Sequence, residues 1–251
     1  HFRSSFTIMS YIHTEQFSIR TSEINHNKAL HPSALIQLMQ EASMQHTIGM
    51  KVSVWDMEAI QGGWVLLKME VQFYHYPVLG QKVTVKTYPS GLDGYFTYRD
   101  YFMYDDNDTL CATATTMWTM MNTESRKMVK IPFSFQSLVY TSDTPLNRPT
   151  KKLYPATTEV LSNHVKVNYF HLDWNGHVNN VQLIRFIMES LDNSMHYEKT
   201  LDSFAIQFKN EAVLDQELFI YNEDISDHHY RHLITDKTTG KDILTAESVW
   251  K

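Results

Sequence analysis

The chain has 251 residues, enough for one large domain or two fused small ones. Hydrophobic residues make up 43% and charged residues 20%, which excludes a disordered chain, and with only 8 glycines and 7 prolines neither a collagen-like nor a linker-rich architecture fits. A formal net charge of −6 argues against a general nucleic-acid binder, which needs a basic surface to neutralise phosphates, but leaves room for a local basic patch facing an acidic protein partner.

The single cysteine, Cys111, excludes an internal disulfide and an all-cysteine metal cluster, and fits a reducing, cytoplasmic setting. No apolar run approaches the ~18–20 residues that span a bilayer. The start, His1 to Ser10, lacks the apolar stretch of a secretory signal, and Met9 is a candidate initiator.

The first half opens with a short alternating strand, Glu15 to Arg20. Pro32 suits a first helical position, and Leu35, Leu38, Met39 and Ala42 form an apolar stripe at helical spacing that Gly49 can end. Gly62-Gly63 introduces a strand over Trp64 to Tyr74, with Val65, Leu67, Met69, Val71 and Phe73 on one face and Lys68, Glu70 and Gln72 on the other. After a turn at Pro77 and Gly80, strands are predicted over 82–88, 95–104 and 110–122, with turns at Asp93-Gly94 and Asp105–Asp108. Pro132, Pro145, Pro149 and Pro155 mark a stretch without periodicity, read as a connector.

The second half repeats the order. A strand near 163–169 precedes Asp173-Trp174-Asn175-Gly176-His177, and a helix follows with Val181, Ile184, Ile187, Met188 and Leu191 on one side. Further strands fit 204–209, 217–222, 229–235 and 243–250. The two helices echo each other in Leu38-Met39-Gln40-Glu41-Ala42-Ser43 and Phe186-Ile187-Met188-Glu189-Ser190-Leu191. This repetition of strand, helix and several strands predicts a duplicated α+β unit, an antiparallel sheet wrapped around one long helix. The first unit is placed at 11–135, a connector at 136–160 and the second unit at 161–251.

Leu172-Asp173-Trp174-Asn175-Gly176-His177-Val178-Asn179-Asn180 resembles the Asp-x-Asn-x-His-Val-Asn-Asn signature of plant and bacterial acyl-acyl-carrier-protein thioesterases. Phe17-Ser18-Ile19-Arg20, Leu38-Met39-Gln40-Glu41-Ala42, Met117-Trp118-Thr119-Met120-Met121-Asn122 and Lys130-Ile131-Pro132 resemble the same family, in its order. The resemblance runs from about Phe17 to near the C-terminus. It implies two tandem hot-dog units, the first forming the acyl-chain pocket and the second carrying the chemistry. It implies hydrolysis of fatty acyl carrier protein to free fatty acid, ending chain elongation, with acyl carrier protein as partner and no cofactor. A homodimer is left open.

By that resemblance the catalytic residues are Asp173, Asn175, His177 and, in the run Phe208-Lys209-Asn210-Glu211-Ala212, Glu211. The family's cysteine position is Ala212, which removes a Cys-His-Asn mechanism here; Cys111, in the other unit, is no substitute. Glu211 is the expected general base for water. His177 would orient that water or protonate the departing thiolate, and Asn175 would hold substrate or water. Asp173 would orient its neighbours or attack as a nucleophile. Residues 175–178 are expected at the start of the second helix, where free N–H groups polarise a thioester carbonyl, with Gly176 allowing close backbone approach.

Each assignment has a plainer rival. Asp173 and Asn175 are ordinary helix-capping residues, and Asn179 and Asn180 read as first-turn hydrogen-bonding residues. Glu189 competes with Glu211 as a carboxylate on the helix; both it and Glu41 are expected to be structural. His228-His229-Tyr230-Arg231-His232 reads as a surface strand with His228 and His232 on one face, not a metal site. Aromatic residues and methionines of 55–64 and 65–73 are candidate pocket lining, or ordinary core. The alternatives to the carrier-protein thioesterase are a hot-dog acyl-coenzyme A thioesterase, a dehydratase and a non-catalytic acyl-binding hot-dog protein.

Overall fold

The computed structural model describes residues 11–251, and the candidate initiator Met9 lies outside them. The first half contributes β1 (His13–Ser18), α1 (Pro32–Gly49), α2 (Val54–Glu58), β2 (Gly62–Phe73), β3 (Lys82–Asp93), β4 (Phe96–Tyr104), β5 (Leu110–Asn122) and β6 (Met128–Val129). The second contributes β7 (Asn163–Lys166), α3 (Asn180–Glu189), α4 (Asn193–Glu198), β8 (Leu201–Phe208), β9 (Glu217–Ser226), β10 (His229–Asp236) and β11 (Asp242–Trp250). Residues 139–162, between the halves, carry no helix or strand.

All strands join one 11-stranded sheet in the order β1-β3-β4-β5-β2-β8-β11-β10-β9-β7, with β6 beside β5. Every pairing is antiparallel. The order is a palindrome of roles: each half runs from its first strand at an edge to its post-helix strand at the centre. There β2 pairs β8, with Glu70 opposite Ala205. The long helices meet across the same axis, where Arg185 Nη2 donates to Gln37 Oε1 at 3.2 Å, residues 148 positions apart. That spacing is also the one at which the two helical echoes align.

The sheet curls around α1, which begins at Pro32 with Pro in the first turn. Leu35, Leu38, Met39 and Ala42 are buried, and so are Ala34, Ile36, Ser43 and His46, because sheet lies on more than one side of the helix. Each fully buried Leu or Ile contributes about 1.5–3 kcal/mol, so this helix forms by packing more than by propensity. The main core joins α1 and α3 to residues of both halves. A separate cluster, Met50, Val52, Met57, Met120 and Ile131, lies in the first half under Trp64.

The structure departs from the sequence pattern in several places. A bulge between Leu66 and Lys68 reverses the alternation of β2: Leu66 is buried and Leu67 is not, while Met69, Val71 and Phe73 keep the core face. β1 starts and ends earlier than predicted, and β7 is shorter, giving way to a single tight turn at Tyr169–His171. Leu191 is buried but lies past the end of α3. His228 is in a turn (φ +65°), so it shares no strand face with His232.

His232 is no surface residue. It is fully buried, with Nδ1 against Asn222 Oδ1 at 2.7 Å and Nε2 against Ser248 Oγ at 2.8 Å. Asn222 Nδ2 in turn donates to Ser190 at the end of α3, so the network ties three strands to the helix. Burial pushes the His232 imidazole down to about 3.

Candidate active site

The loop before α3 is organised by one carboxylate. Asp173 Oδ1 accepts the backbone N–H of Asn175 at 2.8 Å and of His177 at 3.2 Å. The Asp173 carbonyl accepts from Gly176 N–H at 3.1 Å, and Asp173 N–H donates to the His177 carbonyl at 2.8 Å. Gly176 has φ +78°, which closes this tight turn. Val178 N–H then donates to the Ala212 carbonyl at 2.8 Å, stitching the loop to the segment after β8.

That stitch brings Glu211 to His177. Glu211 Oε2 lies 3.2 Å from His177 Nε2, and on the other side of the ring Asn175 Nδ2 lies 3.3 Å from His177 Nδ1. With the amide nitrogen as donor, Nδ1 is the acceptor and the ring proton sits on Nε2, facing Glu211. Glu211 Oε2 also pairs with Arg126 Nη2. Arg126 sits in the turn from β5 to β6 of the first unit, in a left-handed conformation (φ +56°). Glu211 Oε1 has no partner among the described residues, nor has Asp173 Oδ2. The four predicted residues are therefore one constellation, and Arg126 is the member that the sequence did not reveal.

Other expectations change. Residues 175–178 do not begin the helix: α3 starts at Asn180, and Asn179 is its cap, its side chain accepting from Val181 N–H at 2.8 Å. The N–H groups of Asn175, Gly176, His177 and Val178 are all engaged, so none remains to polarise a carbonyl. Within residues 175–178, the second hydrogen of the Asn175 amide is left as a donor. A Cβ at Gly176 would meet nothing within 4 Å, so this glycine serves the positive φ and not a close approach.

Glu189 is exposed and in no ion pair or hydrogen bond among the described residues, so it is neither a structural support nor part of this loop. Glu41 is likewise exposed on α1. Cys111 is buried, its thiol pushed up to about 12 by burial. Among the described residues no group of three or more His, Cys, Asp or Glu could hold a metal ion.

The first unit carries a copy of the loop that lacks the imidazole and the carboxylates. Asn25 Oδ1 accepts from Asn27 N–H at 2.9 Å and Ala29 N–H at 3.1 Å. Asn25 N–H donates to the Ala29 carbonyl at 2.8 Å, Lys28 N–H to the Asn25 carbonyl at 2.9 Å, and Leu30 N–H to the Pro77 carbonyl at 2.8 Å. Bond for bond, Asn25 stands where Asp173 stands, Asn27 for Asn175, Lys28 (φ +61°) for Gly176 and Ala29 for His177. Tyr76, just before Pro77, takes the place of Glu211, and its hydroxyl donates to the Leu201 carbonyl at 2.7 Å.

Two wrapped units sharing one continuous sheet, with a carboxylate–imidazole–amide loop in the second, define a tandem hot-dog protein. The acyl-ACP thioesterase N-terminal domain matches residues 10–138 and the C-terminal domain residues 154–251, so the chain belongs to the acyl-ACP thioesterase family. A chloroplastic acyl-[acyl-carrier-protein] hydrolase of Cuphea viscosissima is 24% identical over 94% of this chain. A chloroplastic oleoyl-acyl carrier protein thioesterase of Coriandrum sativum is 26% identical over 80% of it. The matches span 62% and 59% of those two proteins. The fold is that of an acyl-ACP thioesterase from Bacteroides thetaiotaomicron (TM-score 0.88, 18% identity, 96% of this chain and 98% of that one). It is equally that of the 12:0-ACP thioesterase from Umbellularia californica (TM-score 0.88, 20% identity, the same coverages).

Proposed function

We propose that this chain hydrolyses the thioester of fatty acyl carrier protein, releasing the free fatty acid. The observation that carries this reading is the His177 ring held between the Asn175 amide and the Glu211 carboxylate, inside a chain of the acyl-ACP thioesterase family.

Water attack fits this geometry better than attack by Asp173. Asp173 holds the turn through Oδ1, its N–H and its carbonyl, so displacing it to attack would open the loop, while Glu211 can take a proton on Oε1 without leaving Arg126 and His177. Glu211 takes a proton from that water, and the hydroxide adds to the thioester carbonyl carbon. The free Asn175 amide hydrogen donates to the developing oxyanion. Collapse expels the thiolate, which takes the proton back from Glu211. His177, protonated on Nε2 at rest, steadies the carboxylate through this exchange. The first-unit cluster of Met50, Val52, Met57, Met120 and Ile131, of which Met120 and Ile131 flank the turn that carries Arg126, is the seat we assign to the acyl chain. A reducing compartment such as the cytoplasm accords with the single, buried Cys111.

Purified protein and the Glu211→Gln and His177→Ala variants are to be assayed on long-chain acyl carrier proteins. A loss of about a hundredfold or more in both, with folding intact, is expected; near-normal turnover in both overturns the mechanism. Matched acyl-coenzyme A thioesters should be poorer substrates, and equal specificity constants would remove the carrier protein from the reading. In a single turnover in oxygen-18 water, the fatty acid should gain solvent oxygen directly. Oxygen from the protein would instead indicate a mixed anhydride.

A further inference from the structure

The copied loop of the first unit opens onto a cavity of about 770 Å³ between the two units. One wall is the loop itself, with Asn25, Asn27 and Ala29; the facing wall comes from α3, α4 and the start of β8. The volume is that of an ordinary small-molecule site. Resting on the family reading above, we infer that this cavity is a second, non-hydrolytic site for an aliphatic carboxylate, the class of molecule that the reaction releases.

The cavity has two chemically different parts. Ala34, Met188, Leu201 and Trp250 line it and are buried, giving an apolar floor. Arg185 and Lys199 also line the cavity. Lys199 is in no ion pair among the described residues, and Arg185 donates only to the neutral amide of Gln37. By count the one acidic side chain lining the cavity, Glu189, offsets one of these two cations without pairing with either, which leaves an excess of positive charge. Burial first, and then the charge of Arg185, hold the nearby His31 imidazole below the usual range. A carboxylate head between Arg185 and Lys199 supplies the missing counter-charge, and its alkyl tail covers the floor.

The copied loop explains why no thioester would be cleaved in this cavity. Asn27 keeps the amide that corresponds to Asn175, available to a carbonyl or carboxylate oxygen. Ala29 has no imidazole, and Tyr76, its hydroxyl committed to Leu201, has no basic oxygen at neutral pH, since burial raises its phenol far above the usual range. The amide that can hold the head persists, and the groups that would activate water against a thioester are gone.

The test uses the full chain with dodecanoate and dodecanol as probes. Isothermal titration should show a dodecanoate event that Lys199→Glu weakens at least about tenfold. Ala29→Trp, which fills the cavity beside the loop, should remove it. Both variants should keep the wild-type rate on acyl carrier protein. Dodecanoate, but not dodecanol, should raise the pH midpoint of the His31 imidazole in NMR titration. Dodecanoate binding that is untouched by Lys199→Glu, or equal binding of dodecanol, overturns the inference. Should Ala29→Trp fail to fold, the half-buried Lys199 still decides. Absence of hydrolysis in the wild type would count against the thioesterase reading alone, because the binding event is measured without turnover.

Discussion

Arg126 and Glu211 lie 85 positions apart and in different units, yet the guanidinium of one pairs with the carboxylate of the other beside His177. The pair is partly exposed, so it adds little to stability. Its value is positional. Two donors, Arg126 Nη2 and His177 Nε2, converge on Oε2 and leave Oε1 without a partner among the described residues.

If that is its role, Arg126→Met should lower kcat/KM on acyl carrier protein by about tenfold to a hundredfold, the cost of a misaligned catalytic group. Arg126→Lys should recover part of the loss, because it restores the charge without the planar fork. Thermal unfolding should be nearly unchanged in both. Unchanged kcat/KM in Arg126→Met would show that His177 alone positions the carboxylate.

Asn25 shows that an amide oxygen can do the backbone work of Asp173. Asp173→Asn should therefore keep the loop, with stability within about 0.5 kcal/mol of wild type. Asp173→Ala, which strands two N–H groups, should cost about 1–2 kcal/mol and speed hydrogen exchange at the Asn175 and His177 amides. Urea unfolding and exchange measure both. Equal stability of the two variants would mean that the carboxylate does not scaffold the loop.

His232 gives the fold an acid limit. Its imidazole is at about 3 in the folded chain and near 6.5 when unfolded. Below about pH 6.5 the unfolded chain binds a proton that the folded chain refuses, so stability falls with pH down to about 3, by up to about 1.4 kcal/mol per pH unit. Above that window the residue contributes no pH dependence. Urea unfolding at several pH values between 7.5 and 4.5 should show a shallower loss in His232→Gln than in wild type. Parallel slopes would place the acid sensitivity elsewhere.

Much of this architecture is legible in the sequence, for identifiable reasons. Pro32 sets the start of α1, and the predicted strand 110–122 coincides with β5, because alternation there is bounded by turn residues. The bulge at Leu67 was not legible, since a reversed parity looks like any run of apolar residues. The short α2 was not legible although Ser53-Val54-Trp55-Asp56 carries a capping-box pattern, and Asp56 Oδ2 does accept the Ser53 N–H at 2.8 Å. At the site, motif order brought out Asp173, Asn175, His177 and Glu211. Arg126 stayed hidden because a turn arginine usually faces water, and only the register of two units brings it to Glu211. The copied loop was equally hidden, because backbone bonds preserve it while its side chains have changed.

A hot-dog pair assembled from identical chains carries every residue twice, so a change at one loop is imposed on the other. Here residues 139–162 run from one half to the other within a single polypeptide. Each loop is then a separate genetic address. Position 29 can be alanine while position 177 is histidine, and position 76 can be tyrosine while position 211 is glutamate. The arginine at 126 can serve one centre without acting at a second. Covalent linkage thus turns an obligatory symmetry into an optional one, and the two halves of the sheet are free to diverge.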